Sequence, residues 1–138
     1  MKQLAIVALL VVSAAATALA QGSDYKVVFD LTNPDPAQQE RVMRWVSLIS
    51  KDYPEAQMEI VMYGKGFELV MPEKSAVSDD VTKALENPNV KFRVCAQAMA
   101  HHNITLDMFF KGVQSVPDGI YELVQKQHEG WGYIKVVQ

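Results

Sequence analysis

The 138-residue chain carries 13 basic and 16 acidic side chains, a formal net charge of −3, and one cysteine. Its length fits a single domain around one core, and its acidic balance argues against nucleic acid as a partner. With Cys95 alone, no intramolecular disulfide holds the fold together.

Residues 1–20 read as a secretory signal peptide: Lys2, an apolar run from Leu4 to Val12, and the small-residue site Ala18-Leu19-Ala20 before Gln21. Ser13 and Thr17 interrupt the apolar character, which favours a cleaved leader over an uncleaved anchor. No cysteine follows the apolar run, so a lipoprotein anchor is not expected. The expected product is one domain over 21–138, periplasmic or secreted, with no membrane attachment after cleavage. Its 118 residues (138 less 20) carry 12 basic and 16 acidic side chains, a net charge of −4.

Tyr25 to Leu31 is β-branched and aromatic and predicts a first strand. The turn cluster Thr32-Asn33-Pro34-Asp35-Pro36 then opens a helix, with Asp35 as cap, Pro36 at the first helical position and Gln38 three residues after the cap. Val42, Trp45, Val46, Ile49 and Tyr53 repeat at helical spacing, and Pro54 ends the helix. Met58 to Tyr63 predicts a second strand, followed by Gly64-Lys65-Gly66 and a short apolar segment, Phe67 to Met71. Val77, Val81, Ala84 and Leu85 mark a second helix that stops at Asn87-Pro88.

Val90 to Val94 predicts a third strand that delivers Cys95 to the start of a helix over Ala96 to His102, with Asn103 suited to a left-handed cap. A short apolar segment, Leu106 to Phe110, leads to a weak fourth strand at Val113 to Val116. Asp118 starts a last helix with Ile120, Leu123 and Val124 on one face, and Trp131 to Val137 closes the chain as a fifth strand. Alternating strands and helices predict an α/β fold with a parallel sheet between helices. Val27-Val28-Phe29 and Ile60-Val61-Met62 are continuous apolar runs, so the first two strands belong inside the sheet; Lys91, Arg93, Gln114, Ser115 and Lys135 mark the others as more exposed. An order of 4-3-2-1-5 satisfies this, whereas 2-1-3-4-5 puts the second strand on an edge.

In an open parallel sheet, ligands gather at the carboxyl ends of the strands. Asp30 to Asn33, Tyr63 to Gly66, Cys95, and Ser115 with Val116 all reach that rim. Cys95 is the candidate nucleophile, because a thiol at a helix N-terminus faces free backbone N–H groups that favour the thiolate. The alternative is a buried cysteine acting as a small hydrophobe. Asn33, Tyr63, Gly64, Lys65, Gly66 and Ser115 are the candidate substrate-binding residues, with Lys65 available to favour the thiolate if its turn lies beside Cys95. Gly64-Lys65-Gly66 lacks the spacing of a phosphate-binding loop and also suits a tight turn. His101 and His102 are adjacent on a helix and point about 100° apart, so they do not form an i, i+4 metal pair. No metal or cofactor is expected.

Asn89 to Asn103 (NVKFRVCAQAMAHHN), Val113 to Gly119 (VQSVPDG), Gly130 to Lys135 (GWGYIK) and Ile60 to Val70 (IVMYGKGFELV) together resemble the secreted branch of the DsrE/DsrF-like proteins. The resemblance covers essentially all of 21–138. It implies a three-layer α/β/α sandwich with a five-stranded parallel sheet, homo-oligomers, and a cysteine that in sulfur-relay members carries a persulfide between partners. Cys95 matches that cysteine by position. Two features depart from the relay members: those proteins work in the cytoplasm as parts of hetero-oligomers, and Tyr63 stands where relatives often have a histidine.

The function these observations lead to is a sulfurtransferase-like persulfide carrier, exchanging sulfane sulfur with a donor or acceptor protein or a small thiol. The alternatives are a non-enzymatic oligomeric binding or assembly module, supported by Trp131 and Tyr133 on an expected edge strand, and a thiol redox sensor.

Overall fold

The computed structural model describes residues 24–138; the proposed signal peptide of 1–20 lies outside them. Five strands, β1 (Lys26–Leu31), β2 (Gln57–Met62), β3 (Val90–Cys95), β4 (Gln114–Val116) and β5 (Gly132–Lys135), form one sheet. Among the described residues four helices accompany them: α1 (Pro36–Asp52), α2 (Ser78–Leu85), α3 (Ala96–His101) and α4 (Gly119–His128). Short 3-10 turns occupy the apolar segments Gly66–Val70 and Leu106–Met108. The strand order is β4-β3-β2-β1-β5 with every pairing parallel, as the distribution of apolar runs requires.

The two faces of the sheet differ in character. Phe29, Leu31, Met58, Ile60, Met62, Phe92 and Val94 point to one face and meet Val42, Met43 and Val46 of α1, Val81 of α2 and Met99 of α3 in the large core. Val28 and Val61 point to the other and meet Leu123 of α4, with Tyr63 and Trp131 at the margin. That second face also holds two buried carboxyl groups, Asp30 and Glu59, inside strands otherwise built of apolar residues.

Local signals explain most boundaries. The Asp35 carboxylate accepts from the Ala37 backbone N–H at 2.8 Å, and Pro36 follows as the first helical residue. Asn103 has φ 55° just past α3. Asp118 caps α4 by accepting from the N–H groups of Ile120 and Tyr121 at 2.9 and 3.2 Å.

The phase of α4 departs from expectation. Ile120 and Val124 are 61% and 44% exposed, and only Gly119 and Leu123 of the helix are buried. The reason lies beneath the helix: Glu59 and Arg93 on the sheet are matched by Glu122 and Lys126, so α4 turns a partly polar face inward. A second departure concerns Gln39, 1% exposed: its Nε2 donates to the Pro34 carbonyl at 3.1 Å and its Oε1 accepts from the Ala76 N–H at 2.9 Å. This amide ties the β1–α1 connection to the segment before α2.

Candidate functional site

Cys95 ends β3 and is also the N-cap of α3, with φ −64° and ψ 120°. Strand alternation points Arg93 and Cys95 toward α4, away from Phe92 and Val94 in the large core. The cysteine is free, and only 6% of it is exposed. Its cover is the first turn of α4. A β-carbon on Gly119 would lie 3.0 Å from the Cys95 Cβ and 3.5 Å from both the Tyr63 Cβ and a Val61 methyl, so glycine permits the helix to seat directly over the thiol.

Backbone donors near the thiol are arranged differently from the expectation. No side-chain cap bond runs from Cys95 to the N–H groups of α3, which is only six residues long. The donors at the start of α4 are taken by Asp118, whose other oxygen accepts from Gln97 Nε2 at 3.3 Å. The Gln97–Asp118 bond therefore clasps the first turns of α3 and α4 together beside Cys95.

Among the candidate binding residues, Tyr63 is brought to Cys95, through their shared contact with Gly119. The others have structural partners of their own. Asn33 is exposed and its side chain accepts from the Asp35 N–H at 3.0 Å, an Asx turn leading into α1. Gly64-Lys65-Gly66 is anchored on the end of β1: Gly64 has φ 57°, the Lys65 N–H donates to the Thr32 carbonyl at 3.2 Å, and Gly66 is buried against Leu31. Ser115 pairs with Val94, while Cys95 pairs with Val116; Ser115 thus lies on the opposite face of the sheet from the thiol.

A polar cluster that the sequence reading did not assemble stands next to Tyr63. Asp30, 2% exposed, accepts through Oδ2 from Tyr133 Oη at 2.6 Å, Lys135 Nζ at 3.1 Å and Tyr63 Oη at 3.4 Å. Its Oδ1 is buried without a partner. Lys135 also reaches Thr32 Oγ1 at 3.4 Å and lies 5.5 Å from the Tyr63 ring centroid. The bond to Asp30, with burial and the negative charge behind it, pushes the Tyr133 phenol up to about 12. Burial works to lower the Lys135 ammonium, but the bond to Asp30 and its charge outweigh this and raise it. The sequence signal for this cluster was present: a carboxyl group inside a strand covered on both faces requires partners.

Asp30→Asn is expected to cost about 2 kcal/mol, because it weakens charge-assisted bonds to three side chains. It should also return the Tyr133 phenol toward its ordinary value of 10, read as phenolate absorbance against pH. In the wild type a raised phenol stabilises the fold below about pH 10 and loses that contribution between about 10 and 12.

Trp131 and Tyr133 were expected to be exposed on the edge strand. Trp131 instead packs beside Val28, Val61 and Leu123, with Lys126 Nζ 4.6 Å from its ring centroid, and Tyr133 is tied down by Asp30 although 42% exposed. The aromatics serve the α4 face because that face has few apolar residues of its own. A cavity of about 410 Å³ lies between α1 and α2 beside Ser47, Ser50 and Asn87, on elements of the large-core face. No cluster suited to a metal ion occurs among the described residues.

A five-stranded parallel sheet in this order, with a lone cysteine where β3 passes into a short helix, defines an α/β protein with a thiol at the sheet's carboxyl rim. The chain belongs to the DsrE/DsrF-like family, whose sequence model matches residues 26–136. Membership connects it to the sulfur-relay superfamily. Among solved structures it is similar to the protein of unknown function MTH1491 from Methanobacterium thermoautotrophicum, with 28% identity, a TM-score of 0.75, and coverage of 81% of this chain and 99% of that one. BT1422 from Bacteroides thetaiotaomicron (15% identity, TM-score 0.65, 85% and 99% covered) and the ychN protein from E. coli (12%, 0.66, 80% and 98%) share the fold. No curated protein matches.

Proposed function

We propose that the chain is an exported sulfur-handling protein in which Cys95 accepts sulfane sulfur and passes it on as a persulfide. The observation that carries this reading is the placement of the lone cysteine: β3 delivers it to the carboxyl rim of a DsrE/DsrF-like sheet, under a helix turn kept thin by Gly119. In the forward step the Cys95 thiolate attacks the outer sulfur of a donor R–S–S⁻. A new S–S bond forms on Cys95, the donor S–S bond breaks, and the donor leaves as a thiolate. An acceptor thiolate then attacks the outer sulfur and regenerates Cys95. Self-association accompanies this reading, with the exposed Ile120, Tyr121 and Val124 of α4 as its contact surface.

The near-complete burial of Cys95 favours a second reading, in which the thiol is a packing residue of a binding or assembly module. Cyanolysis separates the two. After exposure to polysulfide and removal of excess, the wild type should release about one thiocyanate per chain and Cys95→Ser none. Equal yields from both proteins, or loading only in denaturant, would replace sulfur transfer with the packing reading.

A further inference from the structure

Glu59 lies in β2 beneath α4, with its side chain 2% exposed, and the proposed sulfur chemistry does not use it. Its Oε2 stands 3.5 Å from Lys126 Nζ of α4 and 3.8 Å from Arg93 Nε of β3. Its Oε1 is sealed from solvent and has no hydrogen-bond partner, and the same is true of Arg93 Nε. Glu122 faces Glu59 from α4, and Glu129, just past the helix, is held by Lys126 at 3.6 Å. Lys91 of β3 joins Glu59, Arg93, Lys126 and Trp131 around a cavity of about 180 Å³. The register neighbour on β1 is Val28, which brings no charge.

We propose that Glu59 is a proton-linked latch for α4: protonated, it lets the helix seat on the sheet, and ionised, it loosens that seat and the cover the helix places over Cys95. An ionised carboxylate needs donors on both oxygens, and no protein group donates to Oε1. Ionisation therefore requires the carboxylate to swing toward the cavity or α4 to lift. A protonated carboxyl carries no charge and is far less costly to keep buried with that oxygen unpaired. Burial first, and then Glu122 opposite, push Glu59 up to about 7 against the pull of Lys126 and Arg93.

A carboxyl raised from its ordinary 4.5 to about 7 gives stability that is fully present below about pH 4.5 and lost as pH rises to about 7. The same ten-residue helix carries Glu122 and Lys126 over Glu59 and Gly119 over Cys95, so a change at one end is transmitted to the other by a rigid rod.

The test uses the folded protein and needs no sulfur chemistry, so it stands apart from the proposed function. Amide hydrogen exchange along α4 and the indole N–H resonance of Trp131 are followed from pH 5.5 to 8.5. The wild type should show one transition near pH 7 in both, with α4 exchange about tenfold faster above it after correction for intrinsic base catalysis. Glu59→Gln should stay protected across the range, and His128→Gln, which removes the helix's own imidazole, should keep the transition. If Glu59→Gln does not fold, Glu122→Gln serves: it should move the midpoint to lower pH. Absence of a transition in the wild type, its persistence in Glu59→Gln, its loss in His128→Gln, or an unmoved midpoint in Glu122→Gln would each overturn the latch.

Discussion

Gly66→Ala should prevent stable folding, or lower stability by on the order of 4 kcal/mol or more. The residue is buried where the turn after β2 crosses the end of β1. A β-carbon there would stand 2.1 Å from the Leu31 carbonyl oxygen and 2.7 Å from its carbon, and both belong to a central strand that has no room to retreat. Chemical denaturation of the variant beside Gly64→Ala gives the comparison. At Gly64 the approach is less severe, 2.9 Å to the Thr32 carbonyl oxygen, with φ 57° adding strain, so a smaller loss of about 2 kcal/mol is expected. Equal losses at the two positions would show that the turn yields as a unit and that close approach to β1 is not what Gly66 provides.

Trp131→Lys should cost about 3 kcal/mol of stability. The substitution removes the ring that closes the small apolar cluster over Val28, Val61 and Leu123, and sets a second ammonium beside Lys126, which now rests against the indole face. Thermal unfolding measures this directly, and light scattering on the same sample shows whether self-association changes as well. A stability within about 0.5 kcal/mol of wild type would show that the ring contributes little to this face. The surface that tests self-association without touching the fold is the outer face of α4, where Ile120 and Tyr121 are 61% and 65% exposed.

The fold was legible because backbone and burial signals agreed. Asp35-Pro36 starts α1, Asn103 ends the segment after Cys95, and the apolar runs of β1 and β2 place those strands inside the sheet. The phase of α4 was not legible from its own residues. Ile120, Leu123 and Val124 look like one buried face, but the helix rests on Glu59 and Arg93, and that polar floor comes from β2 and β3, earlier in the chain. For the site, the position of Cys95 was legible from the passage of strand into helix. Its burial was not, because the cover comes from Gly119, whose importance lies in lacking a side chain. The Asp30 cluster needed tertiary knowledge of another kind: Tyr133 and Lys135 reach Asp30 only because β5 returns to pair with β1, more than 100 residues along. Ser115 was misleading because a three-residue strand gives no alternation from which to read its face.

Cys95, beneath the first turn of α4, is expected to take up a single sulfur atom while the protein is folded. Intact mass spectrometry after exposure of the native protein to polysulfide, followed by desalting, tests it most directly. The wild type should gain the mass of one sulfur atom, lose it on addition of cyanide or a reductant, and show no gain when Cys95 is replaced by serine in a variant that keeps the wild-type far-UV spectrum. A native wild-type protein whose mass stays unchanged, while the same chain in denaturant acquires the sulfur, would contradict the account and make Cys95 a packing residue of the α4 interface.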